Sequence, residues 1–260
     1  VGVYEFGGPD ALEVIDLPEP QAGPGEVRIR VYAAAVSPTD VLLRTGGHAV
    51  RMAGRRPPFV PGMDAAGVID QIGPGCDGRL HVGQRVIAMV MFVGEHGGAY
   101  AEQVVVPAAS VVPAPANADF AAASTLLMNA MTARLALDTL GLRAGETVAV
   151  TGAAGAVGGF AVELAKADGL RVIADAVERD VELVRGFGAD HVVERGVRVV
   201  PVMVPDRITD TEGLTTLSRQ AEMGVLTLRV ADVLPAEQAP KAHRMLEAGG
   251  LRGRIVLDFS

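Results

Sequence analysis

Val150-Thr151-Gly152-Ala153-Ala154-Gly155-Ala156-Val157-Gly158-Gly159 is the stretch on which the fold of this chain turns. Before it, Glu146-Thr147-Val148-Ala149-Val150-Thr151 reads as a short buried strand, and after it Phe160 to Asp168 reads as a helix with Ala161, Leu164 and Ala165 on one face. A strand that runs through small residues into a helix has three needs: a sharp turn, a backbone bare enough for close approach, and a small residue where the helix meets the sheet. Gly155 and Gly158 stand at the second and third glycine positions of a relaxed GxGxxG pattern, and Ala153 takes the first. The unpaired amides of the helix start are a site for a diphosphate, which makes Gly152, Ala153, Ala154, Gly155, Ala156, Val157 and Gly158 candidate cofactor-binding residues. Small residues at a helix start also serve packing alone; the strands and helices around the motif favour the cofactor.

Downstream, Arg171 to Ala174 reads as a strand, Val181 to Phe187 as a helix and His191-Val192-Val193 as a third strand. Strand, helix, strand, helix, strand predicts a parallel sheet covered by helices. Upstream, a single helical stretch is predicted from Asp119 through Leu140, and the first third is β-rich. Val27 to Val31, Gly67 to Ile72, Arg85 to Val90 and Ala101 to Val106 read as strands, separated by turns such as Gly73-Pro74-Gly75. Such spacing predicts a compact, barrel-like β domain. From Leu226 the tail returns to strand, helix (Ala236 to Ala248) and strand (Arg254 to Phe259), expected to pack back on the first domain.

The composition of the 260 residues, 49% hydrophobic and 21% charged, supplies packed cores and gives no sign of disorder. A net charge of −8 argues against a nucleic-acid partner, since phosphate binding draws on clustered Lys and Arg. Arg51, Arg55 and Arg56 are the one local basic cluster, read as a solvated loop. Ser124, Thr125, Asn129, Arg134 and Asp138 interrupt the apolar stretch from Phe120 to Leu142, so no membrane span is expected. The opening Val1-Gly2-Val3-Tyr4 reads as a strand entered midway and not as a signal peptide, and the single Cys76 fits a reducing cytoplasm.

Around the glycine motif the sequence resembles the quinone oxidoreductase (zeta-crystallin-like) branch of the medium-chain dehydrogenase/reductase family, over nearly the whole chain. The likeness is carried by Glu5-Phe6-Gly7-Gly8-Pro9, Pro24-Gly25-Glu26-Val27, Ser37-Pro38-Thr39-Asp40, Pro61-Gly62-Met63-Asp64-Ala65-Ala66-Gly67, Val82-Gly83-Gln84-Arg85-Val86, Gly97-Gly98-Ala99-Tyr100-Ala101-Glu102 and Ala153-Ala154-Gly155-Ala156-Val157-Gly158, in order. The resemblance implies an α/β fold in two parts: a GroES-like β-barrel catalytic domain (1–118 and the returning 227–260) and a Rossmann-type doubly wound parallel sheet domain (119–226). It also implies NAD(P)H-dependent reduction of a small-molecule quinone, enone or alkenal, in a homodimer. Two further β/α units, on the order of fifty residues, are implied between Gly196 and Val197. The chain passes instead to Val197-Arg198-Val199-Val200-Pro201-Val202, read as the sixth strand, and to a helix from Thr211 to Met223. Either a stretch is left out and the numbering closed up, or the deletion is real. The first is expected, with a break at Gly196–Val197 wider than the trans Cα spacing of about 3.8 Å.

Zinc-dependent members of the family hold their metal with Cys and His. Here the first ligand position is Ser37 and the histidine position is Met63, and histidines 48, 81, 96, 191 and 243 are read as surface or loop residues. No zinc is therefore expected. By the resemblance, Ser37, Arg44, Met63 and Asn129 lie at the substrate cleft and Thr132 near the nicotinamide, while Ser37 and Asn129 have ordinary readings as turn and capping residues. No catalytic acid is assignable, and Tyr4, Tyr32 and Tyr100 read as packing residues. After the second Rossmann strand, Asp175 or Glu178 favours a ribose hydroxyl and Arg179 a 2′-phosphate; the resemblance implies NADP, with NAD possible. The alternative function is a non-catalytic dinucleotide-binding redox sensor or regulator.

Overall fold

The computed structural model describes residues 1–76, 78–94, 96–194 and 208–260. The junction of Gly196 with Val197, and with it the expected break and sixth strand, lies outside the described residues.

Strand β1 (Glu26–Ala35) organises the larger sheet. Val27, Ile29, Val31 and Ala33 alternate with polar or less buried neighbours and are themselves buried, as the period of two requires. β1 pairs antiparallel with β2 (Asp64–Ile72), which pairs with β3 (Arg85–Met89), which pairs with β5 (Val111–Pro113). Its first half also pairs with β4 (Gln103–Pro107), and its last residues, Ala33 to Ala35, pair with β10 (Arg254–Asp258). β10 runs parallel to β9 (Val230–Pro235), so the tail completes the sheet begun by the first third. The second sheet is parallel and ordered β6 (Thr147–Val150), β7 (Arg171–Ala176), β8 (His191–Glu194). This is the GroES-like and Rossmann-type α/β architecture.

Helix α1 (Pro38–Arg44) follows β1 through a capping box at Ser37 and Asp40. The stretch predicted as one helix from Asp119 is two: α2 (Phe120–Ser124) and α3 (Leu127–Leu140). Three bonds, two local and one long-range, explain the break. Ser124 and Thr125 turn their hydroxyls back onto the carbonyls of Ala121 and Ala122, and the buried carboxylate of Asp64 takes the N–H of Met128 at 2.9 Å, starting a fresh helix there. Helix α4 (Ala156–Ala167) packs on α3, α5 (Val181–Gly186) precedes β8, and α6 (Thr211–Glu222) lies on β5. α6 buries Leu214, Leu217, Ser218 and Ala221, one stripe at helical spacing, and Ser218 donates to the Pro113 carbonyl at 2.8 Å. Helix α7 (Ala239–Ala248) packs on β9 and β10.

Candidate dinucleotide and substrate site

The glycine stretch sits at a strand-to-helix junction: β6 ends at Val150 and α4 begins at Ala156. Gly152 has φ +66°, the left-handed conformation that turns the chain out of the strand without side-chain strain. A Cβ on Gly158 would stand 2.2 Å from the Gly152 carbonyl oxygen, so the third glycine position is where α4 closes on the loop. Gly155 is the N-cap of α4 and makes no side-chain cap bond, which leaves the first-turn amides for an external acceptor.

Two side chains from elsewhere fix the loop. Asp175, at the end of β7 and buried, accepts the N–H of Gly152 through Oδ1 at 2.6 Å. Arg229 donates to the carbonyls of Ala154 (3.0 Å) and Gly155 (2.6 Å), and its guanidinium lies 4.6 Å from the centre of the Phe187 ring. Its burial, first, and the nearby Arg252 lower its pKa, while Glu163 opposes the shift. Glu163 on α4 accepts the Thr227 N–H at 3.1 Å, which lays the segment before β9 across that helix. Beside the loop is a cavity of about 200 Å³, lined by Gly152 to Gly155, Asp175, Ala176, Val177, Asp180, Gly250 and Arg252. Arg179 is exposed and does not line it.

On the other side of the α4 tip, Thr125, Asn129, Ala156, Phe160, Arg229 and Arg254 enclose a narrow gap. Asn129 Nδ2 and Arg254 Nη1 are both buried there without a hydrogen-bond partner. Burying a donor unpaired costs on the order of 1–3 kcal/mol, more for a charged one, and the gap, with about 0 Å³ of free volume, is too tight for a water molecule to relieve it. Arg254 is otherwise tethered, Nε to the Val36 carbonyl at 2.9 Å and Nη2 to Asp64 Oδ2 at 3.5 Å. Burial pushes the Asp64 carboxyl up to about 6, against the pull of Arg254.

Ser37 is buried and its Oγ accepts from the Thr39 N–H at 3.4 Å, while Met63 is buried just before β2. Thr132 donates within α3 to the Met128 carbonyl at 2.6 Å. Arg44 is wholly interior: Nη1 donates to the Gly7 carbonyl at 2.7 Å, Nη2 pairs with Glu247, and Nε donates to Nδ1 of His243 at 3.2 Å. That last contact corrects the surface reading of His243, which lies on α7 with no exposed surface because its ring is locked into a buried network. With Nδ1 accepting from Arg44, Nε2 carries the proton and donates to the Tyr100 hydroxyl at 3.3 Å. Tyr100 in turn donates to Asp40 Oδ2 at 3.1 Å. Asp40 also takes the N–H groups of Ser37 (2.7 Å) and Gly62 (2.9 Å), yet burial raises it to about 6. Burial, then the Arg44 charge, depress His243 to about 3.

Sequence reasoning missed Arg229, Arg252 and Arg254. The returning tail holds four arginines, Arg229, Arg244, Arg252 and Arg254, and their spacing in the sequence does not mark which of them reach the site. For metal, the donor chemistry is poor: Ser37 serves as a helix cap, Met63 offers a thioether, and among the described residues no three of His, Cys, Asp and Glu gather as a ligand set. For a dinucleotide the fit is good, through the bare loop, the uncapped α4 and the acid at the end of β7.

A GroES-like sheet joined to a dinucleotide-type parallel sheet defines the class. Residues 23–116 match the alcohol dehydrogenase GroES-like domain, and residues 116–257 match the zinc-binding dehydrogenases. The chain belongs to this family, the medium-chain dehydrogenase/reductases. Among curated relatives, the quinone oxidoreductase of Rattus norvegicus is 34% identical over 199 residues, covering 74% of this chain and 57% of that protein. The chain thus spans well under two thirds of the length of that relative. A solved NAD-dependent alcohol dehydrogenase superposes with a TM-score of 0.85 at 28% identity, covering 100% of this chain and 99% of that one. A mycobacterial protein complexed with NADPH superposes with a TM-score of 0.80 at 25% identity, covering 99% of each chain.

Proposed function

We propose that the chain is a zinc-independent oxidoreductase that binds a nicotinamide dinucleotide at the glycine loop and passes hydride to a small conjugated carbonyl compound, a quinone, enone or alkenal. The observation that carries this reading is the bare, uncapped tip of α4, with a cavity on one side and two unpartnered buried donors on the other. The amides of the first turn of α4 would hold the diphosphate, and Asp175 and Arg229 keep the loop shaped for it. When bound, the nicotinamide supplies the hydride. The gap between Asn129 and Arg254 is closed to a water-sized molecule; on opening, Asn129 Nδ2 and Arg254 Nη1 would donate to a substrate oxygen, where donors fixed in advance stabilise negative charge more than water does. The curated relative's name supports a quinone as acceptor.

Steady-state oxidation of NADH and NADPH tests the proposal. Oxidation that appears only with a quinone, enone or alkenal, and that survives a zinc chelator, is the expected result. A second reading is a non-catalytic dinucleotide-binding sensor or regulator. Dinucleotide binding without turnover of any acceptor would select that reading. The likeness to the family extends the proposal to a homodimer in a reducing cytoplasm; a mass by light scattering tests the first part.

A further inference from the structure

The cavity beside the glycine loop carries three charged groups: Asp175, Asp180 and Arg252. Arg252 belongs to the turn between α7 and β10, so it reaches the Rossmann-type sheet from the returning tail. It grips Asp180 as a fork, Nε to Oδ1 at 2.7 Å and Nη2 to Oδ2 at 2.6 Å. Both oxygens are engaged by the planar guanidinium, the geometry in which Arg also holds a phosphate. Asp175 is then the uncompensated charge in the cavity. Its Oδ1 is taken by Gly152 N–H, and its second oxygen remains an acceptor suited to a ribose hydroxyl. A 2′-phosphate would bring about −1.5 to −2 of charge against it.

We propose that the Arg252–Asp180 ion pair selects the dinucleotide. While paired, it withholds from a phosphate the one arginine that lines the cavity among the described residues, and Asp175 takes the ribose diol of NAD(H). Released from Asp180, Arg252 is the reader of a 2′-phosphate, and the cavity turns toward NADP(H). The inference rests on the dinucleotide reading above. It moves the choice of cofactor from Arg179, where the sequence pointed, to a residue contributed by the tail.

The test is equilibrium titration of the full chain with NADH and with NADPH, followed by the fluorescence of the reduced nicotinamide. The wild-type chain is expected to bind NADH more tightly than NADPH, by roughly tenfold or more. Asp180→Asn keeps the shape and replaces one carboxylate oxygen by an amide that cannot accept from the fork; Asp180→Ser also shortens the side chain to a single hydroxyl. Each is expected to move the ratio of affinities toward NADPH by about tenfold. Adding Arg252→Met to either variant is expected to abolish the gain. A purely structural ion pair would weaken both ligands alike and leave the ratio where it was. An unmoved ratio with both ligands bound overturns this inference and leaves the dinucleotide reading standing, and so does a wild-type preference for NADPH. Binding of neither ligand removes the dinucleotide reading and this inference with it.

Discussion

Asp175 Oδ1 accepts the backbone N–H of Gly152 at 2.6 Å, which ties the end of the second parallel strand to the turn that leaves the first. The pairing makes Asp175 an anchor of the glycine loop as well as a charge in the cavity beside it, and the two roles separate by substitution. Asp175→Asn keeps an acceptor oxygen and is expected to hold the loop while easing the exclusion of NADPH. Asp175→Ala removes the acceptor and is expected to lower stability by roughly 1–3 kcal/mol and to weaken both dinucleotides. Urea unfolding and ligand titration of the two variants check this, and equal behaviour of Asn and Ala would deny the anchoring role.

Arg229 links the two sheets through one residue. Its side chain holds the carbonyls of Ala154 and Gly155, and its own carbonyl accepts the Arg254 N–H at 2.9 Å. Arg229→Met keeps much of the apolar stem against Phe187 and removes the donors. Dinucleotide affinity is expected to fall by about tenfold, with NADH and NADPH affected alike. A variant that bound both as the wild type does would show that the carbonyl contacts do not shape the loop.

The buried network around Tyr100 gives a pH dependence with opposing parts. Asp40 and Asp64 are raised from 3.8 to about 6, so they hold protons more tightly when folded. Their contribution is fully present below about pH 3.8 and is lost as pH rises through about 6. His243 is lowered from 6.5 to about 3, so its contribution is present above about pH 6.5 and is lost as pH falls through about 3. The stability difference between wild type and His243→Gln is therefore expected to shrink steadily from about pH 6.5 toward about pH 3. The difference between wild type and Asp40→Asn is expected to shift in favour of wild type between about pH 6 and about pH 4, as Asp40 gains its proton. Denaturant unfolding at several pH values measures both, and pH-independent differences would contradict the assigned shifts.

How much of this was legible in the sequence follows from the range of the interactions. The strand, glycines and helix from Thr147 to Ala167 are set by local pattern, and the alternation of Val27, Ile29 and Val31 announced β1. The tail's strand, helix, strand was equally plain, and β9 and β10 do join the sheet of the first third. Local periodicity also misled, because it carried one helix across Thr125, where Asp64, 64 residues before Met128, starts the second. The site's polar machinery was hidden for the same reason. Arg229, Arg252 and Arg254 meet Gly155, Asp180 and Asn129 only after the tail folds back, and nothing near them in the chain marks their partners. His243 looked like a surface histidine until Arg44, 199 residues away, fixed its ring.

In the proposed function the bare tip of α4 receives the diphosphate of a nicotinamide dinucleotide, and direct binding of NADH tests this. The chain has no tryptophan, so the fluorescence of NADH itself reports binding without interference. Saturable binding to the wild-type chain is expected, together with its loss in Gly158→Val, whose Cβ would stand 2.2 Å from the Gly152 carbonyl oxygen and force the loop and α4 apart. Absence of binding to the wild type, or binding that Gly158→Val leaves intact, would contradict the account.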